Sequence, residues 1–300
     1  MTIYSYLQGG LGNQMFQYAI ARALAKHYGT DFALNHSWFN RSLHGDTPRE
    51  LQIGLLNIPN VPLVSADFPH KPNKISRFIQ KCLPINPLII YQKSAFDYDQ
   101  ALFNFTGIRN RDLYLSGYWQ AYPYIQSIQK QLREEFQTKS PLSNHYQKYL
   151  DQIQSTESVM VHIRRGDYVN SPAASQFHGV LPISYYLSAI DEIRSQKPQA
   201  HLFIFSDDIA WAKNALEDIS DKTFIEHTLS GDAAVEELQL MIACKHHIIA
   251  NSTLSWWGAW LKTYQDGMVY APNYWVNNQN LELKNLLPAE WQKISIKSKN

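Results

Sequence analysis

Val159-Met160-Val161-His162-Ile163-Arg164-Arg165-Gly166-Asp167-Tyr168 is the stretch on which the reading of this chain turns. Val159, Val161 and Ile163 share one face of an extended segment, and Met160, His162 and Arg164 share the other. A strand over Ser158 to Ile163 would thus be apolar along its length and charged at its carboxyl end. Helical patterns flank it, over Tyr146 to Gln154 and over Ser184 to Ser195. The alternation then continues. Strands are predicted over His201–Phe205, Thr223–Glu226, His247–Ala250 and Met268–Ala271, and helices over Ile209–Leu216, Ala233–Ala243 and Leu254–Tyr264. Alternating strands and helices imply an α/β fold with a parallel sheet covered on both faces, and ligands on such sheets bind beyond the carboxyl ends of the strands.

The amino-terminal half opens the same way. A short β-prone segment, Thr2 to Leu7, meets the turn Gly9-Gly10-Leu11-Gly12. A helical pattern follows, with Met15, Ala19, Ala23 and Phe16, Ile20, Leu24 recurring at i and i+4 until Gly29. Asp31 to Phe39 reads as a second strand, completing a βαβ unit. Prolines at 48, 59, 62, 69, 72, 84 and 87 break every long period between residues 40 and 110, which predicts short helices and extended connections there. Ile125 to Phe136 reads as a helix. Two stretches suit a linker, Gln137 to Asn144 and Ser155-Thr156-Glu157. The expected organisation is two α/β halves, residues 1–155 and 156–300.

Composition narrows the class. Across 300 residues, 27 Lys and Arg against 26 Asp and Glu leave a net charge of +1. That argues against a general nucleic-acid binder or a polybasic membrane-surface protein, both of which need a charge excess. Hydrophobic residues at 45% exclude a disordered chain. Cys82 and Cys244 stand alone and form neither a disulfide framework nor a thiolate metal site. The opening residues lack a basic stretch followed by an apolar core, and no apolar run approaches the roughly 18 residues that span a bilayer. The expectation is a cytoplasmic protein with no integral membrane segment, peripheral association with the inner membrane face being the one membrane option.

Four clusters fall where a strand ends or a helix begins. Gly9-Gly10-Leu11-Gly12-Asn13-Gln14 suits either a tight turn or a loop whose amides meet an anion. It departs from the dinucleotide fingerprint, because Met15 stands where the third glycine belongs and Asn35 and His36 stand where the acidic residue belongs. The strand end His162, Arg164, Arg165, Asp167 could grip a diphosphate, since guanidinium forks match phosphate oxygens, or could be a self-paired charge cluster. Ser206-Asp207-Asp208 could accept bonds from a nucleobase or ribose, or could cap the next helix. Asn251-Ser252-Thr253-Leu254-Ser255 offers hydroxyls and first-turn amides to a phosphate. Trp256, Trp257 and Trp260 after it read as core. Two further patterns favour structural roles. Asp97-Tyr98-Asp99 is a D-x-D that occurs by chance at this aspartate content, and His246-His247 are adjacent on a strand and so face opposite sides.

Together the four clusters resemble the bacterial α-1,2-fucosyltransferases of glycosyltransferase family 11, in order and spacing from residue 9 to about residue 261. The resemblance implies two Rossmann-like domains of the glycosyltransferase B type, the first on the acceptor side and the second binding GDP-fucose. It implies inverting transfer of L-fucose from GDP-β-L-fucose to the 2-hydroxyl of a terminal β-galactose in an oligosaccharide acceptor. No metal and no cofactor beyond the donor substrate are expected. It also implies the roles of residues. Arg164 and Arg165 would bind the diphosphate with Ser252, Thr253, Ser255, Asn251 and the Gly10, Gly12 and Asn13 amides. His162, Ser206 and Asp207 or Asp208 would contact guanine and ribose. Arg165, Asp167, His162 and Asn13 would form the catalytic group, with Asn13 near the reacting sugar. Asp167 is the first choice of general base and His162 the second, although a carboxylate beside two arginines has a lowered pKa and could instead orient an arginine. The glutamate that related α-1,6 enzymes place ten positions after the histidine is Pro172 here. A different acceptor hydroxyl, a peptide acceptor and a non-catalytic GDP-sugar-binding protein are the alternatives.

Overall fold

The computed structural model describes residues 1–40, 49–68, 87–105, 111–166, 179–228, 230–277 and 281–296. Asp167, Tyr168, Pro172 and Cys82 lie outside them. The chain divides into two units, Met1–Phe136 and Gln137–Asn300.

In the first unit β1 (Thr2–Tyr6) leads through the glycine turn into α1 (Leu11–Tyr28), and β2 (Asp31–Asn35) follows. α1 is apolar nearly all round, with Met15, Phe16, Tyr18, Ala19, Ile20 and Leu24 buried, as a helix packed on several sides must be. Gly29 stops it in the left-handed conformation at φ 64, and Lys26 and His27 in its last turn complement the helix dipole. β2 ends four residues before the expected Phe39. The Asn35 carboxamide accepts from the Ser37 amide at 3.0 Å and hydroxyl at 2.7 Å, which turns the chain into a 3-10 turn over Ser37–Asn40. β3 (Leu63–Val64), β4 (Leu88–Tyr91) and β5 (Leu113–Ser116) complete a parallel sheet of order β3-β2-β1-β5-β4. β3 and β4 fall in the proline-broken stretch, and β5 follows just after it. The helix expected over Ile125–Phe136 is a 3-10 turn, Gln126–Ile128, followed by α2 (Gln129–Glu135).

The second unit runs α3 (Asn144–Ser155), β6 (Glu157–Ile163), α4 (Ile183–Gln196), β7 (Ala200–Ser206), α5 (Ile209–Ala215), β8 (Lys222–Phe224), α6 (Ala233–Ala243), β9 (His246–Ile248), α7 (Thr253–Trp260), β10 (Val269–Pro272) and β11 (Gln292–Ile294). β11 has no counterpart in the sequence reading. α3 packs on α6 and β6, and its Tyr146 hydroxyl accepts from the Thr228 amide at 3.2 Å and donates to Glu237 at 3.2 Å. These bonds tie α3 to the second unit, so the division falls one helix earlier than the expected boundary at 155.

The sheet is parallel throughout, with order β11-β10-β9-β6-β7-β8. The chain winds outward from β6 through β7 to β8, then returns to β9 on the other side and winds out to β11. That is the doubly wound order, and its switch point lies between β6 and β9. Val159, Val161, Ile163, Leu202, Ile204 and Ile248 form the apolar layer beneath it. In the first sheet the chain winds outward from β1 to β3 but inward from the edge strand β4 to β5, which pairs with β1 at the centre. Among the described residues no helix is long and apolar enough to cross a membrane.

Candidate functional site

At the switch point of the second unit β6 delivers its charged end. Arg164 Nη1 meets Asp207 Oδ2 at 3.0 Å, and the Arg165 amide donates to Asp207 Oδ1 at 2.8 Å. The Gly166 amide donates to the same carboxylate. Burial opposes ionisation of Asp207, but Arg164 and the two amides outweigh it and its pKa is lowered. A carboxylate accepts about four hydrogen bonds, so three donors leave Asp207 little capacity for a nucleobase. Its evident work is to hold the β6 end in place. Asp208 caps α5 by accepting from the Trp211 amide at 3.2 Å, and its other oxygen faces Arg165 Nε at 3.5 Å. Ser206 Oγ accepts from the Asp208 amide at 3.0 Å. Arg165 also lies over the Trp211 ring, 4.2 Å from its centroid. The two sequence readings of Ser206-Asp207-Asp208 thereby resolve toward capping and toward support of the arginines.

His162 sits one strand position before this cluster and is 5% exposed. Its Nδ1 has no hydrogen-bond partner among the described residues. Burial first, then Arg164, push its pKa down, with Asp207 opposing, so the ring is neutral at pH 7.

The other side of the switch point is the β9–α7 turn. Asn251 is buried, and its Nδ2 donates to the carbonyls of Trp275 at 3.1 Å and Gly179 at 3.3 Å. Ser255 is buried, with Oγ 3.2 Å from the Ser252 carbonyl and 3.4 Å from that of Ala250. These two side chains help shape the turn. Ser252 and Thr253 are half-buried, and Ser252, the N-cap of α7, makes no side-chain cap. The first-turn amides of α7 therefore carry the helix's partial positive charge without an internal acceptor from the cap. Trp256, Trp257 and Trp260 behind them are core, as read, and Trp256 Nε1 donates to the Leu286 carbonyl at 2.7 Å. Both guanidiniums are paired with carboxylates, Arg164 with Asp207 and Arg165 with Asp208, as the self-paired reading of the cluster expected; they follow β6, whose neighbour β9 leads into the uncapped start of α7.

The glycine turn of the first unit is held from below by two buried glutamines, Gln14 and Gln17. Gln14 Nε2 donates to the Gly9 and Glu50 carbonyls at 2.9 and 2.8 Å, and its Oε1 accepts from the Gln52 and Ile53 amides at 2.9 and 3.0 Å. Gln17 accepts from the Gln8 amide at 2.9 Å and donates to the Gly117 carbonyl at 3.2 Å. Gly9 adopts φ 78, and a Cβ there would lie 2.6 Å from Asn13 Nδ2, so only glycine fits. Gly10 caps α1 without a side chain, and Gly12 is buried in its first turn. Asn13 Oδ1 accepts from Gln120 Nε2 at 3.0 Å. Asn13 thus lies in the first unit, beyond the carboxyl ends of β1 and β5, and His162, Arg164 and Arg165 lie at the switch point of the second.

The two further patterns are structural. Asp99 caps a 3-10 turn by accepting from the Ala101 amide at 2.9 Å, and Tyr124 OH bridges the Asp99 amide and the Asp97 carbonyl. His246 pairs with Glu157 at 2.9 Å, whereas His247 bonds the Met241 carbonyl at 2.8 Å. No cluster of three metal-ligating side chains occurs among the described residues.

Two α/β units, each built on a parallel sheet, are the architecture of the glycosyltransferase B class. Solved fucosyltransferases share the fold. NodZ from Bradyrhizobium matches with TM-score 0.51 and 13% identity over 87% of this chain and 93% of its own. A FUT1 mutant from Arabidopsis thaliana in complex with GDP matches with TM-score 0.54 and 11% identity over 97% and 76%. The family description Glycosyl transferase family 11 matches residues 73–295. An α-1,2-colitosyltransferase of Escherichia coli is 33% identical over 97% of this chain and 98% of its own length. The O-antigen biosynthesis glycosyltransferase WbnK of Escherichia coli is 33% identical over 93% and 96%, and mouse galactoside 2-alpha-L-fucosyltransferase Sec1 is 25% identical over 85% and 63%. This chain is a glycosyltransferase and belongs to family 11.

Proposed function

We propose that the chain transfers L-fucose from GDP-β-L-fucose to the 2-hydroxyl of a terminal β-galactose, with inversion at the anomeric carbon and without a metal. The observation that carries the proposal is the pair Arg164 and Arg165 held by Asp207 and Asp208 at the end of β6, the strand whose neighbour β9 leads into the uncapped start of α7. The vertebrate relatives named as galactoside 2-fucosyltransferases support the donor and the hydroxyl. As the glycosidic bond breaks, negative charge grows on the leaving GDP phosphate. Fixed positive groups bind that charge more strongly than the ground state and lower the barrier. Arg164, Arg165, Ser252, Thr253 and the α7 amides would do this in place of a cation. His162, neutral and buried, would contact the nucleoside, and Asn13 would lie near the reacting sugar with the Gly10 and Gly12 backbone. Asp208, more exposed than Asp207, is the better of the two for a ribose or base contact. Asp167 remains the proposed general base.

The colitosyl relative favours a second reading, transfer of colitose, which lacks the 3-hydroxyl of fucose. The deciding experiment supplies GDP-fucose or GDP-colitose with lactose in EDTA, measures GDP release and assigns the product linkage by NMR. An α-1,2-fucosyl product formed in EDTA supports the leading proposal. Turnover with GDP-colitose alone moves the donor, and GDP release without the linkage moves the acceptor. GDP binding with no turnover on any galactoside sinks the transferase reading in favour of a binding protein. In the active enzyme Arg165→Ala is expected to lower kcat by about 10²-fold or more, from several kcal/mol of lost charge stabilisation.

A further inference from the structure

We infer that the loop Gly117-Tyr118-Trp119-Gln120 of the first unit is a platform for a pyranose ring of the acceptor, with Tyr118 as the stacking surface. The inference rests on the transferase reading above for the word acceptor, but its test does not. The loop leaves the carboxyl end of β5 beside β1, at the centre of a parallel sheet, and open α/β sheets hold ligands beyond the carboxyl ends of their strands.

Trp119 adopts φ 55. A bulky residue in the left-handed region is strained, and such strain persists only where the surroundings over-determine it. Here they do. Gln92 Oε1 accepts from the Trp119 amide at 2.6 Å, and Gln92 Nε2 donates to the Ala95 carbonyl at 3.1 Å. The Gln120 amide donates to the same Ala95 carbonyl at 2.9 Å. Gln17 holds the Gly117 carbonyl from α1. A Cβ on Gly117 would lie 2.5 Å from Gln92 Cβ, so the packing admits only glycine.

The consequence of the strained turn is a division of three neighbouring side chains. Trp119 goes inward, 1% exposed and edge-on to Tyr124, and its Nε1 has no hydrogen-bond partner among the described residues. Gln120 is buried and orients Asn13. Tyr118 goes outward at 39% exposure. A relaxed backbone would not need a buried indole without a hydrogen bond, so the arrangement serves the placement of its neighbours. An aromatic face beside carboxamides suits a sugar, because a galactopyranose has an apolar face of C–H groups and a rim of hydroxyls.

The test reads saccharide binding without turnover. Saturation-transfer NMR with lactose is run in the presence of GDP on the wild type, Tyr118→Ala and Tyr118→Phe. Tyr118 is exposed, so neither change threatens the fold. Transfer to the galactose ring protons is expected in the wild type and in Tyr118→Phe, and is expected to be lost in Tyr118→Ala. In the active enzyme, Tyr118→Ala should raise the acceptor KM about 10-fold while the donor KM and kcat stay within about twofold, an effect of the size of one aromatic contact. Unchanged lactose binding in Tyr118→Ala overturns the platform, as does a rise confined to the donor KM. Equal loss in Tyr118→Phe overturns it too, by assigning the contact to the hydroxyl. A wild type that binds lactose through Tyr118 yet transfers no fucose overturns the function and leaves the platform standing.

Discussion

Arg165 rests on the indole of Trp211, and Asp208 ties both to the start of α5 through the Trp211 amide and Arg165 Nε. A cation on an aromatic face is worth about 0.5–2 kcal/mol. Trp211→Leu is therefore expected to lower kcat/KM for the donor about 3- to 30-fold, with Trp211→Phe recovering part of it and the acceptor KM unmoved. Combined with Arg165→Ala the losses should fall short of adding, because the two residues act as one group. Full additivity would reduce Trp211 to a packing residue. At this scale the sequence displayed the chemistry-bearing side chains but not their supports. Arg164, Arg165, Asp207 and Asp208 were legible because charge at a strand end is conspicuous. Trp211, Gln14, Gln17 and Gln120 were not, because a buried amide or an indole has meaning only through its partner. The glutamines at i and i+3 on an otherwise apolar helix were the one available signal.

Helix α7 illustrates the balance at the scale of an element. Its Gly258 sits mid-helix, where alanine would ordinarily gain about 1 kcal/mol. A Cβ there would lie 2.7 Å from Met241 Cβ on α6, and overpacking of that kind costs about 1–3 kcal/mol. The clash wins. Gly258→Ala should lower the urea midpoint, and a midpoint at or above that of the wild type would show that α6 yields without strain. The reading of elements followed the same logic. Helices and central strands with unbroken periods, such as α1, β6 and α6, were placed to within a few residues. β3, β4, β5 and β11 carry no such signal in the sequence, whereas the equally short β8, β9 and β10 are legible because clear helical periods alternate with them. β2 was read too long because the Asn35 turn depends on a side chain bonding its own backbone neighbour.

For the whole molecule the buried imidazoles set the response to acid. His162 and His247 have lowered pKa values, His247 down to about 3, burial being the first cause in each, and His201 is lowered too. Unfolded, each would titrate near 6.5. Below that the unfolded chain binds more protons than the folded one, so stability is complete above pH 6.5 and declines as pH falls. Glu157, held down to about 2 by its bond to His246 against the opposing effect of burial, and then by Lys245, extends the loss below pH 4. His227, raised by Glu237, works in the opposite direction, but its exposure keeps that contribution small. The urea midpoint should drop steadily from pH 7.5 to 5.5, and His247→Gln should flatten the drop. A His247→Gln profile parallel to the wild type would remove His247 from this account.

The amino-acid sequence by itself determined the α/β class, the two halves, the four clusters and the family, because periodicity and residue type are local properties carried by the chain. Tertiary structure decided the division at Phe136, the strand orders with the switch point of the second sheet, and the pairing of Arg164 with Asp207 and Arg165 with Asp208. It also gave Asn251 and Ser255 their bonds to nearby carbonyls and placed Tyr118 outward beside Trp119. These depend on which distant backbone groups meet. A buried polar group must find a partner wherever the fold brings one, and that partner lies tens of residues away along the chain.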